Sequence, residues 1–418
     1  MATNKNLDQI CEELLKQEAE ELSKDEMRKN LPNAVAFRQK ENWVHRIDTS
    51  EPAFLNNYPE DCFVVNRLTT TVPKTWIDLK KDPKDAFIEE PFKDIRFNFK
   101  PNLRNRKFIF RGQTAYYKDC TPSLFRNKKQ KFYLAEMIKV QEMQALMMTH
   151  PLFRLFQNGI DLAGDKYVFE MNLYGLAQHY YQKTALMDLT SNIDVAKFFA
   201  CCEYDSKTHG YKPVLDSKKH GVIYYYSLDM PNIFQYQLND YLTKLSTIGL
   251  QVFPRSGNQH GFLLQMPKGV NFNNLHKVRC KYFKHDPVVS QRVYDEFGGG
   301  KKLFPVDILE NHYLEHEHDD YVSSVAVQIN RSMNLDNNGM PINSYDEVVA
   351  MLGNIGIKVK EYIPQFSDNE MDIYYDTIKA EWLAFVDRIH FCGKYDDLLR
   401  DALLHISDRD EYKWAFER

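Results

Sequence analysis

Apolar positions along the chain recur in two rhythms, one helical and one strand-like, and they meet in the stretch 174–200. From Leu173 to Tyr181, Leu176, Ala177 and Tyr180 fall at helical spacing. The run Ala185 to Ser191 has the length and apolar content of a buried strand. Ile193, Val195, Ala196, Phe198, Phe199 and Ala200 then read as a helix buried on most of its circumference, and Asn192 is placed to cap it. Upstream, Lys107 to Phe110 forms a short apolar strand ending in Arg111-Gly112, and Phe132 to Met148 reads as an amphipathic helix. Downstream, strands are expected over 221–226, at Phe262 to Leu264 after a polar loop, and over 277–283. A helix is expected from Val306 to Glu317.

Past residue 331 the period is helical. Ser344 with Glu347, and Ser367 with Glu370, have the spacing of capping boxes, and a further helix is expected over 396–406. At the other end, Leu7, Ile10, Cys11, Leu14 and Leu15 share one face of a surface or docking helix, for which packing on the body of the protein is the simpler reading. Prolines chop residues 32–101 into short pieces, with a β-rich run at 61–71 and a possible helix start at Trp76. Residues 205–220 read as a polar connection. The pattern predicts an α+β protein in three parts: an N-terminal helix and wrapping extension over 1–100, a main domain over 101–325, and an all-helical domain over 331–418.

Composition narrows the classes. The chain has 418 residues, 43% of them hydrophobic and 27% charged, with a net charge of −4. So weak a charge offers no general attraction for nucleic acid or an anionic membrane. The start lacks the basic and apolar regions of a secretory signal, and no apolar run reaches bilayer length, so a cytoplasmic protein with no membrane partner is expected. The seven cysteines show no CxxC spacing, which suits reduced thiols rather than a disulfide framework or a structural zinc site.

Two places carry candidate chemistry. An arginine at a strand end beside a glycine, as at Arg111-Gly112, can grip a phosphate or carboxylate bidentately, although single arginines more often serve structural ion pairs. The strand to Ser191 delivers Asp188, Thr190 and Ser191 to a helix N-terminus, where an anionic group is favoured. The bland explanation is a core strand followed by a capped core helix. Arg104, Arg106 and Lys107, and Arg126, Lys128, Lys129 and Lys131, form local basic clusters that could steer a nucleic acid or NAD, although a solvated surface is the usual explanation of such runs. His312 to His316 fits HxxEH, with Glu315 as base and Glu381 as a conceivable third ligand, but a solvated helix end accounts for it and no metal is expected.

In order, the chain presents FRGQ at 110–113, PSLFR at 122–126, AQHY at 177–180, a TxLxDxTSN run at 184–192, VAKFFA at 195–200, NQHGF at 258–262 and LFP at 303–305. This ordered set resembles the FRG-domain family over roughly residues 100–320. The motif order is in turn similar to that of NAD-dependent ADP-ribosyltransferases of the Arg–Ser–Glu type. The resemblance implies a split sheet with inserted helices, NAD as substrate, and transfer to a nucleic-acid or protein acceptor in a bacterial toxin or anti-phage setting. It implies that Arg111, Gly112, Gln113, Tyr180, Thr190 and Ser191 line the NAD site, with Arg111 on the diphosphate, Gly112 on the carboxamide, and Thr190 and Ser191 orienting Arg111 and the ribose. Gln259 stands near the place of the catalytic Glu. An amide cannot supply negative charge or act as a base, so Asp188, His179 and His260 are the candidates for that work. Asp188 shares a strand face with Thr190. Where the family typically carries an Arg and a Trp, Ala185 and Leu189 stand here, which changes what the site rim can grip. A non-catalytic nucleotide or nucleic-acid sensor is the competing class. The sequence leaves the oligomeric state open.

Overall fold

A computed structural model describes residues 63–68, 74–90, 96–101, 107–126, 131–162, 165–169, 171–228, 243–248, 253–336, 340–390 and 395–418. The docking helix expected near the start, and Lys128 and Lys129, lie outside them. The centre is a six-stranded sheet. Its strands are β1 (Phe108–Gln113), β2 (Leu186–Thr190), β3 (His220–Ser227), β4 (Lys244–Thr247), β5 (Gly261–Gln265) and β6 (Val278–Lys284). They lie in the order β4-β5-β2-β1-β3-β6, and every neighbouring pair is antiparallel.

The sheet is joined at its middle by a single paired position, Phe110 opposite Thr190. Elsewhere the pairing is continuous, as between β3 and β6 from His220↔Lys284 to Tyr226↔Val278. The two halves are therefore β4-β5-β2 and β1-β3-β6, and the gap between β1 and β2 is where the site forms. Alternation along β1 feeds two cores. Ile109 packs with Met187, Val222 and Tyr224 on one face, and Phe108 and Phe110 with Val195, Phe198 and Tyr225 on the other.

Helices cover this sheet: α1 (Lys131–Thr149), α2 (Pro151–Asn158), α3 (Leu173–His179), α4 (Ile193–Cys201), α5 (Pro254–Asn258), α6 (Pro287–Glu296), α7 (Ile308–His316), α8 (Ser324–Met333), α9 (Tyr345–Gly353), α10 (Asp368–Arg388) and α11 (Tyr395–Leu404). α4 lies directly on β1, and Gly112 makes that possible. A Cβ added there would sit 1.7 Å from the Ala196 carbonyl oxygen. Asn192 caps α4 by accepting from the Asp194 amide at 2.8 Å, as its position predicts. Both expected capping boxes are present, opening α9 and α10.

Several expectations are corrected. Trp76 lies in a strand, Lys74–Ile77, rather than starting a helix. Residues 205–220 begin in a hairpin, Cys202–Asp205 against Gly210–Pro213. α1 is not amphipathic along its length, since Ala145, Leu146, Met147 and Met148 are all buried and cover its whole circumference. The polar loop before β5 contains α5. Trp382, Val386, Leu403 and Phe416 share one hydrophobic cluster with Phe153, Phe156, Leu176 and Tyr180, so the core runs continuously across residue 331. Among the described residues no helix is long and apolar enough to cross a membrane, and Cys120, Cys201, Cys202 and Cys280 are buried.

Candidate functional site

The gap between β1 and β2 opens into a cavity of about 630 Å³. Its chemistry falls into three zones. Arg111 and Arg126 form a cationic end beside Gln113, Tyr117 and Ser123. Gln178, His179 and Asp188 occupy the middle. Tyr181, Phe199, Tyr204, Tyr211 and Phe304 make an aromatic end.

Arg111 follows Phe110, the last position of β1 paired with β2. Its Nη1 donates to the Asp188 carbonyl at 2.6 Å, so the guanidinium bridges the place where the strands part. Arg126 reaches the same cavity from the short helix Ser123–Arg126, with Nε donating to the Thr121 carbonyl at 3.1 Å. Two guanidiniums lining one cavity favour a ligand with more than one anionic oxygen. Asp188 is half-exposed, and its Oδ1 accepts from Gln178 Nε2 at 2.5 Å. Gln178 Oε1 in turn accepts from the Thr184 hydroxyl.

His179, at the end of α3, is buried. Its Nδ1 lies 3.1 Å from Gln259 Oε1 and its Nε2 lies 4.0 Å from Asp188 Oδ1. Burial is the largest influence on its pKa and lowers it, helped by the Arg255 charge and opposed by Asp188 and Gln259, so the ring is neutral near neutral pH. Gln259 is engaged at both ends of its amide, since Nε2 donates to the Leu303 carbonyl at 3.1 Å.

The expected site residues are only partly brought together. Arg111, Gly112, Gln113, His179, Asp188, Thr190 and Gln259 line the cavity. Thr190 is committed internally: its hydroxyl donates to the Gln259 carbonyl at 2.7 Å and accepts from the Asn192 amide at 3.1 Å. Ser191 is buried past the strand end, with its amide on the His260 carbonyl at 3.0 Å, and is not among the lining residues. Tyr180 also does not line the cavity. It is fully buried, and its hydroxyl donates to Asp307. Tyr181 takes its place because the backbone turns sharply after α3, with Tyr181 at φ 65°. Burial raises the Tyr181 and Tyr211 pKa values, so both present neutral phenols.

Two features were not read from the sequence. Arg255, taken as a loop residue, is fully buried. It pairs with Glu310, donates to the His179 carbonyl at 3.2 Å, and stacks over Tyr180 and Tyr181 at 4.9 and 5.0 Å. The aromatic end is built by the hairpin carrying Tyr204 and Tyr211, and Tyr211 stacks on Phe304 at 4.9 Å. The alternation of Cys202 to Asp205 was the available signal. Gly112 acts through the close approach of α4. The HxxEH histidines are spent on carboxylates, His312 with Glu370 at 3.5 Å and His316 with Asp319 at 2.8 Å. Among the described residues no group of three or more His, Cys, Asp or Glu could hold a metal ion.

No curated protein and no solved structure matches the chain. The family model of the FRG domain matches residues 106–209, the span that supplies Arg111, Arg126, His179 and Asp188, and the chain is thus one that carries an FRG domain.

Proposed function

We propose that this FRG domain is an ADP-ribosyltransferase-like unit that takes NAD into the cavity between β1 and β2 and transfers ADP-ribose to a macromolecule. The observation that carries the reading is the convergence of Arg111, Arg126, Asp188 and His179 on one cavity at a break in the sheet. Its volume, about 630 Å³, lies within the range of about 300–1,000 Å³ typical of small-molecule sites. Arg111 and Arg126 would neutralise the diphosphate, and the aromatic end would take a planar ring. The glycosidic C–N bond breaks with its electron pair passing to the nicotinamide nitrogen, which leaves neutral. The sugar becomes oxocarbenium-like, and the Asp188 carboxylate stabilises that charge. An acceptor nucleophile then attacks the same carbon and gives its proton to His179. A toxin or anti-phage setting is the biological context proposed with this activity.

Labelled NAD incubated with the protein, cell extract and RNA tests the reading. Label transfer and nicotinamide release are expected from the wild type and not from Arg111→Ala. Equal background in both refutes it. A second reading, a nucleotide sensor without chemistry, is favoured by one observation: Gln259 supplies an amide rather than an acid, and that amide is internally satisfied. NAD-dependent stabilisation in a thermal-shift assay with no nicotinamide release would select it.

A further inference from the structure

We propose that Gln259 is a positioning residue that holds His179 in its Nδ1–H tautomer and so turns a bare Nε2 lone pair towards Asp188, itself a lining residue of the cavity. The inference rests on the transferase reading for the identity of the reaction, but not for the tautomer. The geometry is restrictive. The Leu303 carbonyl can only accept, so the Gln259 NH₂ group must face it, at 3.1 Å. Gln259 Oε1 is then turned to His179 Nδ1 at 3.1 Å and can only accept, so Nδ1 must carry the hydrogen. A neutral imidazole has one N–H, which leaves Nε2 bare. That atom is buried with no hydrogen-bond partner. Its distance to Asp188 Oδ1, 4.0 Å, is too long for a hydrogen bond, as two facing lone pairs require.

Besides the Gln259 contact at Nδ1, the residue is held at its backbone and along its ring edge. Arg255 Nη1 fixes the His179 carbonyl at 3.2 Å. A Cβ added at Gly261 would lie 3.2 Å from both Cε1 and Nε2, so the start of β5 closes over the ring edge. The charged groups that face it are Asp188 from β2 and Arg255 from α5, of opposite sign. When Nε2 takes a proton, the new imidazolium finds Asp188 already beside it. An amide at 259 fits this task better than an acid. A glutamate there would hold the imidazolium in advance and remove the base. It would also face the Leu303 carbonyl with an acceptor.

The test is a long-range proton–nitrogen correlation spectrum of the full chain labelled with ¹⁵N-histidine, with the His179 signals assigned by their loss in His179→Ala. At pH 7.5 the expected pattern is a protonated Nδ1 and a bare Nε2. In Gln259→Glu the ring should titrate about one to three pH units higher. In Gln259→Leu the preference for the Nδ1–H tautomer should be lost. An Nε2–H tautomer or an imidazolium in the wild type at pH 7.5 overturns the proposal, as does a tautomer and titration unmoved by both substitutions. Should Gln259→Leu fail to fold, the wild-type tautomer and the Gln259→Glu titration still decide. With NAD turnover as readout, Gln259→Glu should shift the acid limb of kcat upward by the same amount while KM for NAD stays constant. Absence of turnover in the wild type would remove the transferase reading and leave the spectrum to settle the tautomer alone.

Discussion

Replacing Gly112 by alanine tests how closely the site depends on one strand–helix contact. The added Cβ would lie 1.7 Å from the Ala196 oxygen, 2.7 Å from the Ala200 nitrogen and 2.8 Å from the Ala196 carbon. All three are backbone atoms, so no side chain can swing away. Restoring ordinary contact needs α4 to withdraw from β1 by on the order of 1.5 Å, because carbon and oxygen atoms pack no closer than about 3.2 Å. Val195, Ala196, Phe198 and Ala200 on α4 are all buried, and that movement loosens them together. Overpacking costs about 1–3 kcal/mol where side chains can adjust, so about 3 kcal/mol or more is expected here. At about 2.1 cal/mol/K per residue, a chain of 418 residues has an unfolding entropy of about 0.9 kcal/mol/K, so that loss lowers Tm by roughly 3–4 °C. Gly257→Ala is the control: the residue is exposed in α5, and an added Cβ meets nothing within 4 Å. It should be neutral or stabilise by up to about 1 kcal/mol. Circular dichroism melts of both variants measure the difference. Melting temperatures within about 1 °C of each other would refute the argument that α4 is seated on that glycine.

Arg255→Met leaves Glu310 almost buried without its cation and should cost about 3–5 kcal/mol in urea unfolding, most of it recovered in Arg255→Met/Glu310→Leu. Arg111→Ala should abolish NAD-dependent stabilisation in a thermal-shift assay, and Arg111→Lys should restore little of it, because an ammonium lacks the second planar donor. Burial lowers the His150 pKa from 6.5 to about 3. The unfolded chain therefore takes up a proton that the native state refuses, and stability falls as pH drops below 6.5. The stability of His150→Phe relative to wild type should rise by about 1.4 kcal/mol per pH unit between pH 6 and 4, measured by urea titration; a flat difference would refute it.

Short-range determinants were legible. Asn192 and the pairs Ser344–Glu347 and Ser367–Glu370 satisfy amides within three residues of themselves, so spacing is enough to find them. The β2 run was legible because an apolar stretch ending at a cap has few other uses. The misread residues depend on distant partners. Arg255 sits in a polar segment, and its burial is set by Glu310 and two tyrosine rings from other elements. Tyr180 and Tyr181 exchanged roles because α3 ends at His179 and the backbone turns there, which side-chain periodicity does not register. α1 has the spacing of an amphipathic helix, but α8 packs along it, and Asn330 Nδ2 donates to Gln141 Oε1 at 3.0 Å.

The break in the sheet explains why an arginine stands at position 111. Where β1 and β2 part after Phe110 and Thr190, the Asp188 carbonyl on the β1 side loses the amide that a continuous ladder would bring. An unpaired carbonyl in that place is costly, and a ligand cavity cannot rely on a second strand to satisfy it. The Arg111 guanidinium satisfies it through one N–H and keeps others available to the cavity. One side chain thus closes the sheet's hydrogen-bond account at the split and presents charge to the space the split creates. A lysine could reach the carbonyl or an anion but lacks the planar fork to hold both in fixed geometry. The cation that lines the opening is therefore the same group that satisfies the strand edge the opening exposes.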